Sequence, residues 1–236
     1  MKFLRSLALF FFDILDKYIH QKRILNCIKK IKTEISVLVD VGSHKGLYAD
    51  LILKNFKVKK AFLFEPQEKI FKFIKDKYKR VKNVQVYNCA VSNEIKHKKF
   101  YINQHDLTSS LTQKDPHNFY LKLKAVLFGG TNNNMIAKIS NIKTIKLSDI
   151  IKKNKIKKID LLKIDTEGHE LQVLLGLKGK LKIVKVILIE VHNDNIYLKY
   201  SSNKIHNYLT KNKFILKKKI NFPFTTWEDR IYLNKL

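Results

Sequence analysis

The chain has only two cysteines, Cys27 and Cys89, and no C-x-x-C. That excludes a disulfide framework and the zinc-ribbon class, and it leaves both thiols as small core residues in a reducing compartment. Three prolines and seven glycines in 236 residues exclude collagen-like and low-complexity architectures. Hydrophobic residues make up 45%, enough for a full core, and the length suits one domain with a small appendage.

Acidic residues are scarce, with 20 Asp and Glu against 48 Lys and Arg, giving a net charge of +28 and a pI near 9.9. Arginine is scarcer still and occurs only at Arg5, Arg23, Arg80 and Arg230. Readers of phosphates and bases favour the guanidinium fork. Dispersed lysines therefore argue against a specific nucleic-acid partner. Together with abundant Ile and Asn, they point to compositional drift and solubility. Attraction to acidic substrates or a membrane surface is the alternative.

Long apolar runs are missing too. Leu7–Phe12 is broken by Asp13, which is too short to span a bilayer, and no small-residue cleavage site follows. The apolar positions from Leu4 to Ile19 recur at helical spacing. Residues 1–34 are expected to form a helical segment packed on the core of a cytoplasmic protein. The second reading is peripheral contact with an anionic membrane through that helix.

What is present is an alternation of strands and helices over 35–236. "ISVLVDVG", "AFLFEP" and "NVQVYNCAVS" read as buried strands, and "LYADLILKNF" and "QEKIFKFIKDKY" as helices between and after them. "IKHKKFYINQ" reads as an extra strand. Residues 105–141, with "GGTNNN" and no clear period, read as an insert that forms a functional loop or lid. "TIKLSDIIKK" gives a strand edge and a helix that Ser148 can cap. "KIDLLKID" and "VKVILIEVH" are strands, "HELQVLLGL" and "SSNKIHNYLTKN" helices, and two late strands close an antiparallel edge. The expected fold is α/β, a doubly wound and mostly parallel sheet.

Chemistry concentrates at strand ends, where open α/β sheets bind ligands. "VDVGSHKG" follows a buried strand and opens a helix, with Gly42 for a tight turn and Gly46 for close helix packing. Its G-x-x-x-G spacing is not the G-x-G-x-x-G of dinucleotide sites, and Asp40 beside the turn would repel a pyrophosphate. That weighs against an NAD-type dehydrogenase. A phosphate-free, positively charged ligand such as S-adenosylmethionine fits better. Glu65 ends the next strand at the offset suited to a ribose diol, with Pro66 stiffening its turn. Asn88 and Ala90 end the third.

"VDVGSHKGLYA", "FLFEP", "NCAVS", "TSSL", "KIDLLKIDTEGHELQVLLG" and "ILIEVH" come in the order found in FkbM-type methyltransferases, which this chain resembles from about Val37 to His192. The resemblance implies a class I methyltransferase-like Rossmann fold and methylation of hydroxyls by S-adenosylmethionine, often on sugars or polyketide products. On it, Asp40, Gly42, Ser43 and Gly46 would surround the methionine end, Glu65 and Pro66 the ribose, and Asn88 and Ala90 the adenine. The stretch carrying "FGGTNNN" departs from the pattern. The expected function is O-methylation of a sugar, glycan or related small molecule. An RNA-directed methyltransferase or other nucleic-acid-binding protein is the rival.

In "LLKIDTEGHE", Asp165 ends a strand beside the expected reactive end of the cofactor. Thr166 is placed to cap the next helix and Glu167 to occupy its first turn. An alcohol needs a base to become a good nucleophile. Asp165 and His192 are the candidates, with Lys163 as the expected partner of Glu190. Ser109, Ser110 and Glu167 are candidate acceptor-binding residues. A weaker alternative has Asp165, Glu190 and His192 holding Mg²⁺ or Mn²⁺.

Overall fold

The computed structural model describes residues 15–103, 108–118, 121, 136–223 and 225–235. About half of the expected insert, and residues 1–14 of the N-terminal segment, lie outside the described residues. The strands are β1 (Val37–Val41), β2 (Lys60–Phe64), β3 (Val84–Tyr87), β4 (Ala90–Val91), β5 (His97–Asn103), β6 (Ile136–Ile145), β7 (Ile159–Ile164), β8 (Val184–His192), β9 (Phe214–Asn221) and β10 (Trp227–Asn234). The helices are α1 (Gln21–Ile31), α2 (Leu47–Asn55), α3 (Glu68–Lys77), α4 (Leu147–Lys153), α5 (Glu170–Leu175) and α6 (Ser202–Lys211), with a π turn at Asp16–His20 before α1. None of these helices is long and apolar enough to cross a membrane.

Seven strands form one sheet in the order β3-β2-β1-β7-β8-β10-β9. The first five run parallel, and β10 is antiparallel to both its neighbours. The chain order reverses between β1 and β7, so their C-terminal ends form the crevice where ligands bind in such sheets. Both faces are covered. Val39, Val41, Phe62, Phe64, Leu162 and Ile187 point to one apolar layer, and Leu38, Ala61, Leu63, Leu161 and Leu188 to the other. Two buried faces explain why these strands read as continuous apolar runs.

The second layer includes Ile24 and Ile28 of α1, so this helix packs on the sheet. His20, just before it, is 2% exposed, and its Nε2 lies 2.7 Å from Asp229 Oδ2 on β10. The pair joins the N-terminal helical stretch to β10, the strand next to the β9 edge of the sheet.

Three local expectations need correcting. "NVQVYNCAVS" is not one strand. It breaks at Asn88-Cys89, and β4 joins a second sheet of order β4-β6-β5. β6 begins at Ile136, inside the stretch read as insert. Its isoleucines at 136, 139, 142 and 145 repeat every three residues, which hid a strand paired antiparallel with β5. Ser148 does not cap α4, whose first turn follows Lys146. Its amide instead donates to Gly176 O at 3.2 Å. Ser201 does cap α6, accepting from the Lys204 amide.

Candidate active site

The ends of β1, β2, β4 and β7 open onto one cleft of about 630 Å³, continuous with solvent. Gly42, Glu65, Pro66, Ala90, Ser109, Asp165 and Glu167 line it, as do His44, His169 and the apolar Phe64, Cys89, Val91 and Phe100. Three acidic residues therefore line the space. No lysine or arginine is among its described lining residues, in a chain of net charge +28.

Glu65 lies just past β2 and is 3% exposed. Its Oε2 accepts the His44 amide at 3.0 Å and its Oε1 the Gln67 amide at 2.7 Å. Backbone amides thus orient both oxygens. Burial outweighs these amides and pushes the carboxyl up to about 7.

Gly42 has φ +82°, and a Cβ there would lie 1.7 Å from Asp165 O. The close approach expected at this turn is thus to the neighbouring strand's backbone. Ser43 spends its hydroxyl on the protein, donating to Asp40 O at 2.8 Å and accepting the Phe64 amide at 3.2 Å. Gly46 caps α2, and its carbonyl accepts the Tyr78 hydroxyl at 2.9 Å.

Asp40 is fully buried and does not line the cleft. Strand alternation turns it with Leu38 towards the α1 layer, away from Val39 and Val41. Neither of its carboxylate oxygens has a hydrogen bond, and Lys163 Nζ stands 3.8 Å from Oδ1. Burial raises its pKa, with the Lys163 charge opposing.

Lys163 is committed to Asp165, 2.9 Å from its Oδ2, and not to Glu190 as its sequence position suggested. The register explains this. Lys163 sits opposite Asp40 and Leu188, one pleat short of Glu190. Asp165 is anchored by this bond and by its amide donating to Val41 O at 3.0 Å.

The loop after Asp165 is built by Glu170. Its Oε1 accepts the Thr166 amide at 3.1 Å, the Thr166 hydroxyl at 3.0 Å and the Gly168 amide at 3.0 Å. Thr166 therefore does not cap α5, and Glu167 precedes the helix with φ +54°. Gly168 has φ +91°, and a Cβ would meet the Tyr197 ring at 2.4 Å. Ser110 does not line the cleft. Its hydroxyl donates to Glu167 O at 2.5 Å and fixes the loop. His169 lies 3.0 Å from Ser92 Oγ, and burial, helped by Lys98, pushes it down to about 3, so it is neutral.

His192 stands behind the cleft, 7% exposed. Its Nε2 is 3.3 Å from Glu190 Oε1 and 3.7 Å from Glu167 Oε2, and the Tyr197 hydroxyl donates to Glu167. Burial lowers the imidazole's pKa, but the Glu190 hydrogen bond and the Glu167 and Glu190 charges outweigh it and raise it to about 9. A protonated ring is not a base at neutral pH. The metal-ligand grouping read from sequence also changes, because Glu167 rather than Asp165 joins Glu190 and His192.

Asn88 is exposed and does not line the cleft. Its amide donates to Glu65 O at 3.0 Å and Pro66 O at 3.1 Å, closing the turn. Tyr197 and Glu170 were missed as organisers of the site. Tyr197 sits in an aperiodic link between β8 and α6, and Glu170 reads from sequence as an ordinary first-turn acid.

Residues 40–216 match the methyltransferase FkbM domain. The chain belongs to that family. The FkbM methyltransferase from Methylobacillus flagellatus aligns with a TM-score of 0.52 at 15% identity, over 85% of this chain and 43% of that one. TrmK of M. capricolum, solved with S-adenosylhomocysteine, aligns at 0.52 and 11% identity over 89% and 67%. A SAM-dependent methyltransferase from Aquifex aeolicus aligns at 0.50 and 13% over 93% and 92%. These likenesses identify the class I methyltransferase-like fold. In sequence, the chain is similar to the hexuronic acid methyltransferase AglP of Haloferax volcanii, 37% identical over 51 residues, or 22% of this chain and 21% of AglP. The chain thus spans less than half of the Methylobacillus protein, and its match covers about a fifth of AglP.

Proposed function

We propose that this FkbM-family protein is an S-adenosylmethionine-dependent O-methyltransferase acting on a hydroxyl of a sugar, glycan or related small molecule. One observation carries the reading: a cleft at the sheet's switch point lined by three acidic residues, with no lysine or arginine among its described lining residues. Such a lining repels phosphates and favours a cationic, phosphate-free ligand. S-adenosylmethionine supplies a methyl group made electrophilic by its sulfonium.

Glu65 would hold the ribose hydroxyls, with both oxygens already oriented by backbone amides. Phe64, Cys89 and Val91 offer apolar walls for the adenine. The turn at Gly42 and the carboxylate of Asp165 would face the methionine end. Asp40 acts at one remove, by holding Lys163 from beneath.

The acceptor proton is assigned to Asp165, which lies on the cleft wall with its Oδ2 fixed by Lys163. His192 is withdrawn from that role by its burial and its two carboxylate neighbours. Ser109 and Glu167 border the same space and would orient the acceptor. Similarity to AglP supports a sugar as acceptor, and the match covers 22% of the chain.

The direct test is transfer of labelled methyl to monosaccharides, hexuronic acids and lipid-linked glycans, with RNA as control. Label on a sugar supports the reading. Label on RNA alone would refute the acceptor class.

A further inference from the structure

Near the acceptor side of the cleft the structure crowds carboxyl groups, and burial raises the pKa of two of them, Glu170 and Glu190. Asp165, Glu167, Glu170 and Glu190 all act on or beside His192. Lys163 is already shared between Asp40 and Asp165. Glu170 Oε2 is buried without a hydrogen bond. His192 is 7% exposed; its Nδ1 has no hydrogen bond, and its Nε2 has only the carboxylates of Glu190 and Glu167 beside it. Buried polar atoms normally have partners, so this ring is short of one.

We propose that Glu167, Glu190 and His192 form a binding site for one divalent cation of the Mn²⁺ and Mg²⁺ class. One ligand atom from each residue lies within 4.8 Å of the others. Nε2 stands 3.3 Å from Glu190 Oε1 and 3.7 Å from Glu167 Oε2. Ligand atoms at right angles around an ion with bonds of about 2.1 Å sit about 3 Å apart, so small side-chain shifts close the set. Two carboxylates and one imidazole, whose proton the ion displaces on binding, with no thiolate, suit a divalent ion such as Mn²⁺, with Mg²⁺ as competitor. The surroundings are those of a supported site. The Tyr197 hydroxyl holds Glu167, and Ser110 holds that residue's carbonyl.

Ion binding stands without the methyl-transfer reading, but the ion's task rests on it. Glu167 faces the cleft, so a bound cation would meet the acceptor oxygen there. It would lower the pKa of the acceptor hydroxyl, whose proton passes to Asp165 as the oxygen–methyl bond forms and the sulfonium–methyl bond breaks, with S-adenosylhomocysteine leaving.

The experiment is titration of the chelator-treated full chain with Mn²⁺, followed by electron paramagnetic resonance and calorimetry, with no adenosyl compound present. The expected result is one saturable site per chain, displaced by excess Mg²⁺. Glu190→Gln and His192→Gln should each weaken it by at least the roughly 10–100-fold that even outer partners cost. The wild-type melting temperature should rise with Mn²⁺ and fall back with chelator, a readout that does not depend on the variants folding. Absence of saturable binding would overturn the site, as would unchanged affinity in folded variants or a melt that ignores the ion. Failure here leaves adenosyl binding and methyl transfer, measured separately, untouched.

Discussion

Glu65 Oε2 accepts the backbone amide of His44 at 3.0 Å, tying the end of one strand to the turn after its neighbour. The same carboxyl is pushed up to about 7 by burial. Two opposite pH trends follow. The folded state binds a proton on Glu65 between its ordinary value near 4.5 and about 7, while the unfolded chain does not. This group's contribution to stability is therefore present at low pH and lost as pH rises through that window. The ionised form is the better acceptor of ribose hydroxyls, so adenosyl affinity should rise over the same range. Denaturant melts and calorimetry from pH 5 to 8 read both. Glu65→Gln should flatten both trends and weaken S-adenosylhomocysteine by about 1.5–3 kcal/mol, roughly 10–100-fold.

Asp165→Asn keeps the shape of the rim but removes the proton acceptor. Turnover should fall about 10²–10⁴-fold, while affinity for S-adenosylhomocysteine changes little. Single-turnover rates beside calorimetry check this. A large loss of affinity with unchanged turnover would make Asp165 a binding residue.

Lys163 has a different kind of importance. It stands between Asp165 and the fully buried Asp40. Lys163→Met should destabilise the fold by about 3–5 kcal/mol, because it leaves buried negative charge without its partner. Adding Asp40→Asn to it should recover part of the loss in urea melts. Additive effects of the two substitutions would contradict the pairing.

Gly42→Ala brings a methyl against Asp165 O, where the Cβ would sit 1.7 Å away, and adds a left-handed φ. The expected result is severe destabilisation, about 4 kcal/mol or more, with lost adenosyl binding. Gly179→Ala has nothing within 4 Å and serves as the control with a near-normal melt.

The sheet was legible because its parallel strands are buried on both faces, so runs such as "SVLVDVG" and "VKVILIEV" carry one meaning over their length. Glu65, Pro66 and Asp165 were legible as cleft residues because chemistry at strand ends follows from topology. What stayed hidden depends on contacts between distant residues. The Glu170 side chain doubles back to hold Thr166 and Gly168, and Tyr197 comes from a separate loop onto Glu167. The direction in which Asp40 points follows from strand alternation. Lys163 was assigned to Glu190 because only the register between β7 and β8 could exclude it.

The cleft is expected to take a cationic adenosyl donor and to reject phosphates. Calorimetry of the full chain with S-adenosylmethionine and, in parallel, NAD tests it most directly. A dissociation constant of roughly micromolar order for the first and no heat from the second is expected. Binding of NAD, or no binding of S-adenosylmethionine at roughly millimolar concentration, would contradict it.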